Sequence, residues 1–337
     1  MSASRISRVP VKKAQGAGKL GNQGKLSRAS PQFVSPPTTS LPKRANPLLT
    51  NPPREVRRRL SPKGMAFLGM GVLVGSAYVG MLYASYQRDL ERSRTLQIPP
   101  DVSDRYQRTA ASYDAEVDMS ETLMRMGTKR EELVKRARGD VLEVSCGTGR
   151  NMEYYELGEK VVIDSKGRAS VQGCRSVTFS DLSPEMVELA RQKYEVKMKD
   201  KNKNKNKNKE KVQVSVAFKA QDAGSIAPPE GRPHFDTVVQ TMGLCSMPDP
   251  VGVLQHLGSI TEPREGRILL LEHGRSHYAW VNRILDDVAP AHADKHGCWW
   301  NRDIGEIVRQ SGLEVVEMKR WHLGTTWQFV LRPIEKV

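Results

Sequence analysis

Two apolar spacings take turns along this chain. VLEV (141–144), FDTVVQTMG (235–243) and GRILLLEHG (266–274) carry short, nearly continuous apolar runs, the pattern of strands buried on both faces. Between such runs, SPEMVELARQKYEVKMK (183–199), DPVGVLQHLGSIT (249–261) and NRDIGEIVRQSG (301–312) repeat their apolar residues at helical spacing. Ser183 is placed to cap the first of these helices, with Pro184 at its first turn, and Gly312 to end the last. ETLMRMGTKREELVKRA (121–137) and RNMEYYEL (150–157) also read as helices, and VTFSDLS (177–183) and VQVSVAFKAQDA (212–223) as strands. LEVVEMKRWHL and TTWQFVLRPIE close the chain as two strands near enough to pair antiparallel. Strand–helix alternation predicts an α/β fold: a mostly parallel sheet with helices on both faces, the closing hairpin adding one antiparallel edge strand.

The pattern changes before residue 106. GMAFLGMGVLVGSAYVGMLYASY (64–86) holds no charge over 23 residues. As a helix it would be about 34 Å long, enough to cross a bilayer core. Its five glycines would weaken a buried soluble helix, and Tyr78, Tyr83 and Tyr86 sit towards one end, as interfacial anchors do. Residues 87–105 read as a polar, helix-like linker, and the globular domain spans 106–337. Residues 1–63 are rich in Ser, Pro, Gly, Lys and Arg, too poor in large apolar residues to offset the entropy of ordering, and read as a disordered tail. Few acids with many Arg and Ser is the composition of a mitochondrial transit peptide, the reading favoured over a plain basic tail.

Charge looks at first like a nucleic-acid signal, at a net +15. Mapped, it is not: residues 1–63 hold fourteen basic residues and one acid, whereas 64–337 hold 39 basic and 37 acidic. Seven of those 39 are lysines in the low-complexity Lys/Asn stretch at 199–211, which reads as a solvated loop. The folded part is near neutral, which argues against a nucleic-acid-binding domain. The four cysteines, at 146, 174, 245 and 298, form no C-x-x-C pair and suit no zinc spacing, so isolated thiols and no metal are expected.

The chemistry starts where VLEV runs into Ser145, Cys146, Gly147, Thr148 and Gly149, a strand feeding a glycine turn. A dinucleotide fingerprint would need a third glycine where Met152 stands, and the acid Glu143 would repel a pyrophosphate but welcome a cationic amine. E-x-x-C-G-T-G-R-N resembles the first motif of the class I S-adenosylmethionine-dependent methyltransferases. FSDLSPEMVELAR, AFKAQDAGSI and FDTVVQTMGLCSMPDP resemble the motifs that follow, in family order, over about residues 104–335. The resemblance implies a Rossmann-like doubly wound sheet and S-adenosylmethionine as cofactor. It further implies Gly147 and Gly149 letting the backbone approach that cofactor, Glu143 on its methionine side, Asp181 on the ribose hydroxyls and Asp222 on the adenine amino group. Tyr113, in the segment that folds over the cofactor in related enzymes, joins the site. One departure is plain: Asp181 lies 32 residues after Gly149, where about 20 is usual, so GEKVVIDSKGRASVQGC (158–174) is read as an inserted loop or hairpin.

Within the family, GTGRN, LCSMPDP, LLLEHGR and HGCWWNRDI look most like fungal mitochondrial inner-membrane methyltransferases with one N-terminal span and animal membrane-anchored thiol methyltransferases. The tail and span fit the fungal group better. A methyl on a sulfonium is already activated, so a base is optional. If there is one, His273 at the end of a strand is the first candidate, followed by Glu272, His292 and His296. The expected function is a membrane-anchored methyltransferase whose acceptor, a quinone-like molecule, a thiol or a protein, the sequence leaves open. The alternative is an assembly protein that keeps the cofactor fold without catalysis. The partner expected is the lipid bilayer, through residues 64–86. The more basic N-terminal flank puts the catalytic domain in the intermembrane space.

Overall fold

The computed structural model describes residues 61–163, 165–167, 169–203 and 214–334. The expected disordered tail (apart from 61–63) and most of the Lys/Asn stretch lie outside the described residues. The chain divides into two units, Met1–Gly64 and Met65–Val337. The second holds the sheet.

Eight strands make that sheet: β1 Arg138–Val144, β2 Lys160–Ile163, β3 Ala169–Asp181, β4 Ser215–Ala220, β5 Thr237–Thr241, β6 Arg267–His273, β7 Glu314–Trp321 and β8 Thr326–Arg332. Their order is β2-β3-β1-β5-β6-β8-β7, with β4 also on β3. β3 and β5 flank β1, both parallel to it, and β4 and β6 continue outward in parallel. The sheet therefore builds in opposite directions from β1, and a crevice opens at the carboxyl ends of β1 and its neighbours. Beyond β6 the antiparallel strand is β8, between β6 and the edge strand β7. Their burial explains that order: Thr326–Leu331 is buried throughout and takes the inner place, while β7 is half-exposed. The predicted insertion is a hairpin, β2 pairing antiparallel with the first residues of β3.

Side-chain alternation splits the buried strands between two cores. Ile268 and Leu270 of β6 face one core, together with Val238 and Phe329; Leu269 and Leu271 face the other, with Val239 and Val330. The first core is covered by α6 Pro250–Ser259 and α8 Ile304–Ser311, the second by α4 Met126–Val134 and α5 Pro184–Lys203. The ends predicted at Ser183 and Gly312 hold, and Asp303 adds a cap that was not predicted. Ser183 Oγ accepts from Met186 N at 3.3 Å, Asp303 from Glu306 N at 3.0 Å, and Gly312 ends α8 at φ 73°.

Two stretches differ from expectation, and a third had drawn none. RNMEYYEL forms successive turns, not a helix; they turn Asn151 and Tyr155 inward, where both donate to Glu143. The helix expected over 121–137 breaks at Arg125, which adopts φ 52° between α3 Tyr113–Leu123 and α4. The break directs Arg130 inward to meet Glu121 of α3. Third, Ala279–His296 forms α7, although Pro290 stands inside it, removing one helical donor.

α1 Pro62–Thr95 is one continuous helix, so the expected span and the first part of the linker are a single rod of about 51 Å. Phe67 is 80% exposed and Leu73 66%. By length and composition this helix suffices to cross a membrane. Its last turns pack on α7: Tyr86 donates to Asp287 at 2.8 Å, Arg92 pairs with Asp294 at 2.5 Å, and Ser93 Oγ accepts from Ala291 N at 3.1 Å.

Candidate active site

A cleft of about 440 Å³ opens at the carboxyl ends of β1, β3, β4 and β5. Its centre is the glycine turn. Ser145 and Gly147 adopt φ 52° and 53° and Gly149 φ 78°, so the chain leaves β1 through left-handed backbone. A Cβ added to Gly147 would meet nothing within 4 Å, so that residue faces open space. Gly147 N donates to Asp181 Oδ2 at 2.9 Å, and Ser183 N to Asp181 Oδ1 at 3.0 Å. A carboxylate offers about four acceptor directions, so Asp181, at the end of β3, keeps capacity for further donors. Burial raises its pKa, while the backbone donors act in the opposite sense. Asp222 follows β4, caps the single 3₁₀ turn Ala223–Ser225 by accepting from Gly224 N, and lines the same wall.

The opposite wall comes from before the sheet. Tyr113 opens α3, and Tyr106 lies in α2 Asp104–Thr109; their rings meet edge to face, 6.2 Å apart. Both line the cleft. Tyr106 OH and Ser246 Oγ are 2.7 Å apart, joining this segment to the loop after β5. At the head of that loop, Met242 holds φ 58°, a strained conformation for methionine, on the cleft wall. Glu272 pins the loop from behind, accepting from Gly243 N at 3.1 Å and Leu244 N at 3.2 Å; burial pushes its carboxyl up to about 8.

The structure thus brings together Gly147, Asp181, Asp222 and Tyr113, and leaves out Glu143, Gly149 and His273 along with the further candidates Glu272, His292 and His296. Glu143 does not reach the cleft wall: it is 1% exposed, and its oxygens accept from Asn151 Nδ2 (3.0 Å) and Tyr155 OH (2.5 Å). It meets the cleft only through Asn151, which lines it. Gly149 faces the other way, its missing Cβ filled by Met152 Cε and Ala190, so it serves the packing of α5. His273 is absent from the wall; its Nε2 lies 2.7 Å from Cys298 Sγ, behind the loop. His292 stacks on Trp300 at 3.8 Å, and burial pushes it down to about 2. Cys245 and Cys298, expected as isolated thiols, converge on His273.

Sequence reasoning missed Arg130. It is 4% exposed and lines the cleft, donating to Asn151 Oδ1 at 3.0 Å and Thr241 Oγ1 at 2.6 Å and pairing with Glu121 at 2.8 Å. A single Arg in a polar helix carries no local signal. Asn151 did carry one, as the last residue of the GTGRN motif.

A doubly wound sheet with a glycine turn after its first strand, and acids after the next two, defines a fold that binds a nucleoside-type cofactor. Residues 112–318 match the family model described as the methyltransferase domain, and the chain belongs to the class I S-adenosylmethionine-dependent methyltransferases. It is similar to the protein described as methyltransferase OMS1, mitochondrial, of Saccharomyces cerevisiae, with 39% identity over 245 residues, 69% of this chain. The chain spans 46% of that relative's length. Among solved structures, a DhpI–SAH complex is 16% identical with a TM-score of 0.43, covering 70% of this chain and 97% of that one. NodS from Bradyrhizobium japonicum WM9, in complex with S-adenosyl-L-homocysteine, is 14% identical with a TM-score of 0.45, covering 70% and 100%. Both TM-scores lie below 0.5, and family membership rests on the sequence match.

Proposed function

We propose that this chain is a membrane-anchored methyltransferase of the mitochondrial inner membrane, transferring the methyl group of S-adenosylmethionine to a small hydrophobic acceptor, quinone-like or a thiol. One observation carries the reading: Gly147, Asp181, Asp222 and Tyr113, from four separate segments, line one cleft at the switch point of the sheet. The residues fit the cofactor. The open space at Gly147 admits it close to the backbone, Asp181 retains acceptor capacity for two ribose hydroxyls, and Asp222 accepts from an adenine amino group. The rings of Tyr106 and Tyr113 line the cleft, where they would offer aromatic surface to a cationic sulfonium. Glu143 acts through Asn151, fixing its amide against Arg130.

The cofactor supplies an activated methyl group, so the protein's part is alignment and exclusion of water. No histidine, lysine or glutamate lines the cleft among the described residues. An acceptor that carries its own nucleophile, such as a thiolate, suits that wall best. The same feature favours, as a second reading, an assembly protein that binds the cofactor without methylating.

The test uses full-length protein in detergent. Calorimetry should show S-adenosylhomocysteine binding, lost in Gly147→Val and Asp181→Ala; equal binding by all three proteins overturns the site. Transfer of labelled methyl to mitochondrial lipids, small thiols or proteins, absent with Asp181→Ala, separates the enzyme from the assembly protein.

A further inference from the structure

Behind the cleft wall, three loops at the carboxyl end of the sheet bring Cys245, His273 and Cys298 together. Cys245 follows β5, His273 ends β6 and Cys298 follows α7. One ligand atom from each lies within 4.8 Å of the other two, and His273 Nε2 is 2.7 Å from Cys298 Sγ. Both cysteines are buried. The other two cysteines offer a contrast: Cys174 packs in the apolar core and Cys146 between core and cleft, and neither joins a three-ligand group among the described residues.

We infer that Cys245, His273 and Cys298 form a binding site for a thiophilic transition-metal ion, Zn²⁺ or Cu⁺. Two sulfurs and one imidazole are the donors that select these ions over hard cations such as Mg²⁺ or Ca²⁺. A metal radius suits the spread: Zn–S and Zn–N bonds of about 2.3 and 2.0 Å need donor atoms some 3.5–4 Å apart, so His273 and Cys298 open slightly while the trio stays in place. Metal entry forms two metal–sulfur bonds and one metal–nitrogen bond, and the displaced thiol protons leave to solvent.

The surroundings fix the backbone that carries these donors. Trp299 N, next to Cys298, donates to the carbonyl of Cys245 at 3.1 Å, tying the two cysteine loops together. Arg302 donates to the carbonyls of Leu244 (3.2 Å) and Met247 (2.6 Å), bracketing Cys245 on both sides. Such fixing of the ligand backbone is what a metal site needs from its outer shell. Three protein donors satisfy Cu⁺, whereas Zn²⁺ requires a fourth. Ser246 Oγ, 3.6 Å from Cys245 Sγ, is an oxygen beside the trio and also bonds Tyr106 on the cleft wall. An ion here therefore clasps the loops of β5, β6 and α7 and steadies the wall of the cleft.

The experiment uses full-length protein in detergent, purified with thiols kept reduced. Its metal content is measured by elemental analysis. The stripped protein is then titrated with Zn²⁺ and with Cu⁺ against chromophoric chelators, and with Co²⁺ for the sulfur-to-metal absorption band. One ion per chain is expected. Affinity should fall at least roughly tenfold in each of Cys245→Ser, Cys298→Ser and His273→Gln, and stay unchanged in Cys174→Ser. Zn²⁺ or Cu⁺ is distinguished by which titration saturates at one equivalent. The wild-type Co²⁺ band keeps the test valid should a variant fail to fold. Absence of binding by all three ions, an equal loss in Cys174→Ser, or a Cys245–Cys298 disulfide found by mass mapping of unreduced protein overturns the site. S-adenosylhomocysteine binding, measured alongside, reports the cofactor cleft separately.

Discussion

Glu143 shows how far a residue's role is written in its neighbours. The acid stood out in the sequence because a carboxylate inside a buried strand needs a partner. Its partners, Asn151 and Tyr155, became visible only once the expected helix at 150–157 resolved into turns. Burial is the largest influence on Glu143 and pushes its carboxyl up to about 7, against the hydrogen bonds from Tyr155 and Asn151 and the charge of Arg130. The folded state therefore holds a proton that the unfolded chain releases near its ordinary value of 4.5. Stability supplied by that proton is complete below about 4.5 and is lost as pH rises to about 7. The gap corresponds to something on the order of 3 kcal/mol. Glu143→Gln keeps the neutral shape and removes the titration. Denaturant unfolding of the two proteins at several pH values should show the variant gaining on wild type by that order between the two limits. A difference that stays constant with pH would mean that Glu143 is ionised in the fold throughout. At this scale the glycines were half legible: Gly147 and Gly149 read alike in the motif, yet one faces the cleft and the other the packing of α5.

Elements were most legible where spacing and caps agreed. β5, β6, α6 and α8 stand where the apolar periods put them, because each helix buries one stripe in one core and each strand buries one face in each of the two cores. They were least legible where a polar tertiary contact overrides propensity: the turns after Gly149 serve Glu143, and the break at Arg125 serves Arg130. α7 was hidden by Pro290, and with it the position of Cys298 relative to Cys245, which no sequence spacing encodes. The caps permit a separation of stability from binding. Asp303 caps α8 away from the cleft, while Asp249 caps α6, accepts from Gly252 N at 2.9 Å, and lines it. Each replacement by Ala should cost about 1 kcal/mol of stability. Asp303→Ala should leave S-adenosylhomocysteine affinity as in wild type, and Asp249→Ala should weaken it. Thermal melts with calorimetry check both, and equal affinities in the two variants would remove Asp249 from the cleft's working wall.

At the scale of the whole molecule, the question is which side of a membrane the cleft faces. α1 is apolar and exposed along its first turns and then packs on α7, so its far end is fixed to the catalytic domain. Rotation or tilt of the rod therefore carries the domain with it. Charge around the span decides orientation: REVRRRLSPK precedes it and QRDLERSR follows it. Both flanks are basic, the first more so, and positively charged flanks resist crossing an energised membrane. If α1 spans the mitochondrial inner membrane as proposed, flank charge is expected to keep the N-terminal flank in the matrix and to put residues 95–337 in the intermembrane space. Protease added to mitochondria with ruptured outer membranes should then degrade that domain while matrix markers survive. If the domain persists until the inner membrane is lysed, it faces the matrix. Exchanging the basic residues of the two flanks should invert the result, because the same span would then present its stronger charge on the other side. A domain that remains on its original side after the exchange would show that the fold of the catalytic domain, and not the flank charge, sets the topology.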